Sequence, residues 1–360
     1  MTVRRRRFAL FSVVFALVAV LTSCARPPTP STHLQAGQAA LDKGDTTTAI
    51  RELETVIGDD PKLVEARVLL GQAYEQAGRR DDAINQYRAA IQLQSQNAEV
   101  GYHLGKLLVD AGKPADAVAP LAMGFKLDAS MAISFTSEIS AAVKAGLAAS
   151  SEFVDKDPQQ AVQLLQAVTT LDGGNTRAHL LLGNTYINLG QSPAAIEQYQ
   201  AILALEPKNA NAVTNLGAAY YQMGKLDQAI AQFQAALELT PNDAETHYLL
   251  GAAFIQQNKI EDAQAEFQTA LRIKPNLAAG YIGLGNAQLL QQDLDGAVAS
   301  LTKAAQLAPD APEAFYALGK ALAQKGNRDA AKPAFQQFLV LNPPPNLRAE
   351  VQDILKQLGP

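Results

Sequence analysis

The sequence predicts an all-α protein in which pairs of helices stack along the chain. A pattern of small and apolar residues returns every 34 residues from Pro30 onward. The chain also lacks Trp and is rich in Ala, a composition that favours helix. At 360 residues it exceeds what one ordinary hydrophobic core supports. A repeat array explains this length, because each added unit buries its apolar face against a neighbour.

The most regular copy of the pattern, residues 210 to 243, shows why each unit begins with a helix. Its apolar residues Val213, Leu216 and Tyr220 recur at steps of three and four, which places them on one helical face. Gly224 predicts the end of that helix, because glycine adopts the left-handed backbone conformation without a steric penalty. The first half of the unit is therefore an amphipathic helix followed by a turn.

The second half of the same copy predicts a second, antiparallel helix. We expect Asp227 to cap its N-terminus, and Pro241 to end it because proline lacks a backbone N–H. Phe233 lies on its inward face beside small residues that allow the two helices to approach closely. One such pair leaves an apolar face exposed to water, so neighbouring copies must stack.

These residue types at this spacing resemble the tetratricopeptide repeat (TPR). The resemblance implies a right-handed α-α superhelix of about nine helix-turn-helix units with a C-terminal capping helix. In the regular copy it rests on Leu216, Gly217, Tyr220, Gly224, Ala229, Phe233, Ala236 and Pro241. The copies begin at Pro30, Val64, Ala98, Ala142, Thr176, Ala210, Ala244, Ala278 and Pro312. All but the fourth copy, which has Ala149, carry glycine at one position of the first helix: Gly37, Gly71, Gly105, Gly183, Gly217, Gly251, Gly285 and Gly319.

The first 23 residues have the organisation of an export signal. Arginines at positions 4 to 7 precede an uncharged apolar run from Phe8 to Thr22. This run of 15 residues is shorter than the roughly 20 needed for a membrane-spanning helix. The tetrad LTSC, which ends at Cys24, resembles the lipobox of bacterial lipoproteins and implies acylation of Cys24. An uncleaved membrane anchor and a chance cysteine are the alternatives.

The lipoprotein resemblance also implies a location. An acylated Cys24 anchors the mature chain to a membrane. Ala25 after the cysteine resembles the signal for transfer to the outer membrane in double-membraned bacteria. We therefore expect a protein on the periplasmic side of the outer membrane, or on the outer face of the cell membrane where there is only one. A twin-arginine export route is an alternative, although the Ser or Thr expected before the arginines is missing.

The repeat register breaks once, after the third copy, where residues 132 to 141 are inserted. The stretch from 132 to 153 contains no strong helix breaker except Gly146 and predicts one extended helix. We interpret the break as a joint between two arms, and a longer helix in an uninterrupted array is the alternative. The predicted organisation is a signal peptide at 1–23, a proline-rich tether at 24–29, repeats at 30–131, an irregular helix and degenerate repeat at 132–175, repeats at 176–345 and a capping helix at 346–360.

The last segment, residues 346 to 360, predicts an amphipathic helix that covers the exposed end of the final repeat. Partner binding by this helix is the alternative. Its apolar side carries Leu347, Val351, Ile354, Leu355 and Leu358.

No catalytic constellation of nucleophile, base and oxyanion donors stands outside the repeat pattern. The single cysteine excludes an intramolecular disulfide, and the prediction is a non-enzyme without cofactor or metal. His33, His179 and His247 occupy the same place in their copies, which indicates a packing role. A chain starting at Cys24 would carry 26 basic and 35 acidic residues. This acidic balance disfavours nucleic acid as a partner.

The TPR resemblance implies that the first helices of successive copies line a groove for a protein or peptide. Tyrosine and aliphatic side chains with interspersed amides suit such a ligand. The expected groove residues are Tyr102, Lys106, Leu180, Asn184, Ile187, Thr214, Tyr221, Tyr248, Ile255, Ile282, Asn286, Tyr316 and Lys320.

Together these features predict a lipid-anchored scaffold that binds protein partners in the bacterial envelope. The resemblance to TPR lipoproteins implies a role in envelope assembly, secretion, pilus biogenesis or exopolysaccharide export. The alternative is an accessory regulator that tethers a cell-wall hydrolase or synthase. No small-molecule substrate is expected.

Overall fold

The computed structural model describes residues 29 to 359, and every regular element in that range is a helix. The predicted all-α class is therefore confirmed. The predicted signal peptide, the acylation site Cys24 and the tether up to residue 28 lie outside the described residues. Of the helices described, none combines the length and the apolar composition needed to cross a membrane.

The first of two compact units, Met1–Gln96, contains two helical pairs in its described part. In the first pair, Gly37 lies against Leu53, and in the second pair Gly71 lies against the ring of Tyr87. The helices are α1 (Pro30–Asp42), α2 (Thr46–Asp59), α3 (Val64–Gln76) and α4 (Arg80–Gln92).

The second compact unit, Asn97–Pro360, contains the remaining helical pairs and all of the predicted groove residues. Its helices are α5 (Ala98–Asp110), α6 (Val118–Leu127), the 3-10 helix η1 (Ala129–Phe135), α7 (Thr136–Phe153), α8 (Pro158–Leu171), α9 (Thr176–Asn188), α10 (Ser192–Leu205), α11 (Ala210–Gln222), α12 (Leu226–Leu239), α13 (Ala244–Gln256), α14 (Ile260–Ile273), α15 (Ala278–Leu290), α16 (Leu294–Leu307), α17 (Pro312–Gln324), α18 (Arg328–Val340) and α19 (Pro345–Gln357).

The sequence period sets where the first helix of each pair begins. Helices α1, α3, α5, α9, α11, α13, α15 and α17 all begin at the residue that the 34-residue period predicts. The fourth copy differs, because α7 begins at Thr136 and not at Ala142. The periodicity therefore locates every pair except the one that follows the inserted residues.

Each regular pair packs a glycine of its first helix against a large side chain of its second helix. A Cβ atom at Gly217 would lie 2.8 Å from the Phe233 ring, and one at Gly183 would lie 2.6 Å from the Tyr199 ring. These distances are shorter than van der Waals contact, so a larger residue would force the ring to move. Close helix packing therefore explains the glycine that the regular copies share.

The turn between the two helices of each regular pair contains a residue in the left-handed conformation. Gly224 has φ 70°, which confirms its predicted role at the end of α11. Asn258 and Gln292 take the same conformation in later turns, with φ 60° and 63°. Asparagine tolerates this region better than most residues, whereas glutamine adopts it at a cost in backbone strain.

The prediction that Asp227 caps α12 is wrong. Lys225 holds the N-cap position of α12 and makes no side-chain capping bond. Asp227 lies in the first turn, where its charge complements the positive end of the helix. Its carboxylate also accepts a hydrogen bond from the Gln257 amide at 2.6 Å, so it links two neighbouring repeats.

The prediction of one α-helix over residues 132 to 153 is wrong at its beginning. Residues 132 to 135 belong to η1, and the backbone turns at Phe135 before α7 starts. Within α7, Gly146 replaces the missing repeat glycine, since a Cβ there would lie 2.8 Å from Val168 and 2.9 Å from Val118. The insertion lies inside the second unit, and its action as a joint between arms stays a prediction.

The C-terminal segment forms the helix α19, and its apolar face packs on the last repeat. Val351 is fully buried in a cluster with Phe335 and Phe338 of α18. Leu347, Ile354, Leu355 and Leu358 pack against the same cluster. The amphipathic face read from the sequence is therefore the face that covers the end of the array.

Candidate functional site

In the second unit, an open cavity of about 650 Å³ lies between α15, α17, α18 and α19. Four of the predicted groove residues, all on the first helices of their repeats, line it together: Ile282, Asn286, Tyr316 and Lys320. Its volume lies in the range of ordinary ligand pockets. The structure therefore brings the C-terminal part of the predicted groove residues into one site.

The cavity is also lined by residues that the sequence analysis missed. Leu290 lines the cavity at the end of α15 and is 57% exposed. Phe338 belongs to a second helix of the repeat, and Pro344 and Leu347 belong to the segment read as a cap. No periodic signal identifies these residues, because their place depends on how α19 folds back beside the last repeat.

Tyr316 is held in a fixed orientation at the centre of the site. Its hydroxyl donates a hydrogen bond to the Glu350 carboxylate of α19 at 2.7 Å, and its ring lies 5.3 Å from the Phe338 ring. The Lys320 ammonium lies 5.2 Å from the ring centroid, where a cation is attracted to the π-face. Burial and the neighbouring Glu350 carboxylate raise the pKa of Tyr316 to about 12, so it stays protonated.

The middle group of predicted groove residues makes contacts within one repeat and between neighbouring repeats. The Tyr248 ring is half-buried 5.9 Å from Phe267, and burial raises the pKa of its hydroxyl. The Thr214 hydroxyl shares a hydrogen bond with Thr246 at 2.9 Å. The Tyr221 hydroxyl accepts one from the Gln256 amide at 2.6 Å, and Ile255 packs against the core cluster that contains Phe254. Structural contacts within and between repeats account for much of this group.

The predicted groove residues of α9 are also held by structural contacts. The exposed Asn184 accepts a hydrogen bond from the buried Tyr199 hydroxyl at 2.8 Å. Leu180 and Ile187 are partly buried against the core cluster that contains Leu182. Asn184 therefore orients a core tyrosine while presenting the rest of its amide to solvent.

Tyr102 does not belong to an accessible groove surface, which corrects its assignment as a groove residue. The side chain is fully buried because the Phe135 ring of η1 stacks on it at 4.9 Å with an interplanar angle of 17°. Its hydroxyl donates a hydrogen bond to the Asp128 carbonyl at 2.9 Å. Lys106, one turn further along, pairs with Asp110 at 2.6 Å. Thus η1, part of which is the inserted segment, covers this face of α5.

The histidines at the equivalent repeat position join the two helices of each pair. The Nδ1 atoms of His33 and His247 lie 2.6 Å from the carboxylates of Glu52 and Glu266. His179 makes the corresponding contact with the Gln198 amide oxygen at 2.9 Å. The predicted structural role fits these contacts. Across residues 29 to 359, no group of three or more His, Cys, Asp or Glu side chains has metal-binding geometry.

Sequence models of one repeat family match most of the chain. A model described as "TPR repeat" matches residues 217–257, 251–292 and 289–326. Three models described as "Tetratricopeptide repeat" match residues 34–98 and 69–124, residues 154–216, and residues 312–345. These ranges leave out residues 1–33, 125–153 and 346–360.

Solved structures support the same fold. The chain is similar to a structure titled for Pseudomonas aeruginosa pilF, with 20% identity, a TM-score of 0.51, and coverage of 60% of this chain and 98% of that one. It also resembles the APC/C hetero-tetramer Cut9-Hcn1, with 13% identity, a TM-score of 0.52, and coverage of 92% and 97%. Yeast Tom70 matches with 13% identity, a TM-score of 0.51, and coverage of 91% and 88%. At these identities the likeness shows the fold alone. A sequence comparison with curated proteins finds no match.

Proposed function

Because the chain belongs to the tetratricopeptide repeat family, whose members bind protein partners, we propose that it is a lipid-anchored scaffold of the bacterial envelope. In this function the repeats hold a partner protein near the membrane during envelope assembly, secretion, pilus biogenesis or exopolysaccharide export. The members of this family are generally non-enzymatic. The proposed role of the protein is therefore to bind a partner protein and to position it.

The observation that carries the binding role is the cavity between α15, α17, α18 and α19. Its walls combine the apolar side chains of Ile282 and Leu290 with the amide of Asn286. Apolar area with a few convergent polar groups is the usual composition of a recognition site. The cavity also lies at the C-terminal end of the row of first helices, and a partner segment that extends from the cavity would lie along these helices.

The envelope location rests on the N-terminal sequence. A basic head, an apolar run of 15 residues and the tetrad ending at Cys24 form the pattern of a lipoprotein signal. Stable attachment through lipid needs more than one acyl chain, because each buried methylene contributes only about 0.8 kcal/mol. Lipoprotein processing at Cys24 would supply those chains and leave the repeats outside the cytoplasm.

Replacing Cys24 with Ala tests this location. We expect the variant to accumulate as an unprocessed precursor or to be released from membranes, because no other residue can accept the thioether-linked lipid. The matched control is Ser23→Ala, which keeps a small residue in the tetrad and should leave processing intact. Membrane fractionation with mass spectrometry of the N-terminal peptide measures both. Full processing and membrane attachment of Cys24→Ala would contradict the proposal.

A further inference from the structure

The cavity between α15, α17, α18 and α19 carries two opposite charges that the described part of the chain leaves unneutralised. Glu313 lies in the first turn of α17 and is exposed, and it makes no hydrogen bond or ion pair within residues 29 to 359. Lys320 contacts the Tyr316 ring and has no carboxylate within ion-pairing distance in that range. Both side chains line the same cavity.

The two charges are also too far apart to neutralise each other. Lys320 follows Glu313 by seven positions. At a rise of about 1.5 Å per residue, their backbones lie about 10 Å apart along α17. The separation corresponds to about seven residues of a bound helix or about three residues of an extended chain. The cavity thus presents an anion and a cation at a spacing that one short segment of protein spans.

Apolar side chains line the same cavity as these charges. Leu290 and Ile282 of α15 face the cavity from one side, and Phe338 and Leu347 contribute from the other. Leu290 is exposed, and it gains free energy when a ligand covers it, at about 25 cal/mol per Å² of apolar area. The occupant therefore needs an apolar side chain as well as two charged ones.

We propose that this cavity binds a partner-protein segment that carries an apolar anchor residue, an acidic residue that pairs with Lys320 and a basic residue that pairs with Glu313. The inference rests on the proposed scaffold function and names the chemistry of its partner. A nucleic acid presents anions alone, which Glu313 would repel. A segment with both charges satisfies both residues and fixes the direction in which it lies along α17.

Glu313 also has a structural role, because a negative charge in the first turn stabilises the helix N-terminus. A charge change at Glu313 therefore needs a control variant that loses a negative charge from the first turn of another helix. Glu261 provides it, since it is exposed in the first turn of α14 and away from the cavity. Lys303 on α16 is exposed and is the matched control for Lys320.

The experiment selects binders from a displayed library of random 16-residue peptides on the full-length protein in detergent. Affinities of the selected peptides are then measured for Lys320→Glu, for Glu313→Lys and for the double variant. We expect the selected peptides to carry an apolar residue together with an acidic and a basic residue, and to bind each single variant about tenfold or more weakly. Glu261→Lys and Lys303→Glu should bind like the unaltered protein. The double variant should prefer peptides in which the acidic and basic residues are exchanged.

Three results would overturn the inference. Peptides that bind both single variants as well as they bind the control variants would show that the charges do not select the ligand, and the scaffold function would stand. A library that yields no binder would reject the peptide-binding cavity, whereas membrane attachment and partner capture test the scaffold function separately. Selection of the chain's own sequence, with dimers in sedimentation, would assign the cavity to a second copy.

Discussion

Replacing Phe233 with Ala is expected to lower the free energy of unfolding by about 3–5 kcal/mol. The side chain is 0% exposed, and its ring occupies the space that Gly217 leaves between the two helices of the pair. Its neighbours Ala229 and Leu250 lie in the same core cluster, which connects this repeat to the next. Truncation leaves a cavity at the junction between repeats, because a glycine and an alanine cannot fill the space.

Hydrogen exchange measures this loss more directly than a single melting temperature, since repeat arrays open in parts. The amides of α11 and α12 should lose protection in Phe233→Ala. The matched control is Gln234→Ala, at the next residue of α12, where the side chain is exposed and the change should have little effect. Equal protection in the two variants would contradict the packing described for the repeats.

Replacing Leu290 with Asp is expected to remove most binding of protein partners. The side chain lines the cavity and is 57% exposed, so the helix should tolerate the change while the site does not. A charge buried against the apolar wall of an interface without a partner costs about 2 kcal/mol or more, which is a fall in affinity of about 30-fold. Quantitative mass spectrometry of proteins that co-purify from solubilised membranes measures this loss.

Val340→Asp is the matched control for this prediction. Val340 is an exposed aliphatic residue at the end of α18, 75% accessible, and it does not line the cavity. Both variants should melt like the unaltered protein, whereas Leu290→Asp alone should lose co-purifying proteins. Equal loss in the two variants, or full retention by Leu290→Asp, would place the partner elsewhere.

Packing inside one repeat was predictable from the sequence because it depends on residues at a fixed spacing. A glycine of the first helix, such as Gly217, lies against a large side chain of the second helix in each regular copy, an aromatic ring in some copies and a leucine in others. The turn at Gly224 follows for the same reason, since its positive φ is a local property of the chain. The starts of the regular first helices were therefore correct to the residue.

The errors arose where a tertiary contact decided the outcome. Phe135 ends η1 and stacks on Tyr102, which removes Tyr102 from the accessible surface, and no periodicity predicts that a segment folds over its neighbour. Asp227 follows the composition rule for helix caps, yet its carboxylate accepts the Gln257 amide of the next repeat. Both residues make contacts outside their own repeat, and the 34-residue pattern does not predict such contacts.

The candidate site was predicted on one wall only. Asn286 and Tyr316 stand at repeat positions that face the groove, so the resemblance identified them. Phe338 and Leu347 form the opposite wall because α19 packs on the last repeat, and that arrangement is specific to this end of the chain. Residues outside the predicted groove positions therefore line part of the site where we expect specificity for a partner protein.

Site-specific photo-crosslinking from the cavity tests the central claim, that this end of the groove binds a partner protein. A photoreactive phenylalanine analogue replaces Ile282 in the full chain expressed in its own cells, and Ala299 on the exposed side of α16 is the control position. We predict discrete crosslinked proteins from position 282 and none of these from position 299. Crosslinks from position 299 with none from position 282 would contradict the account.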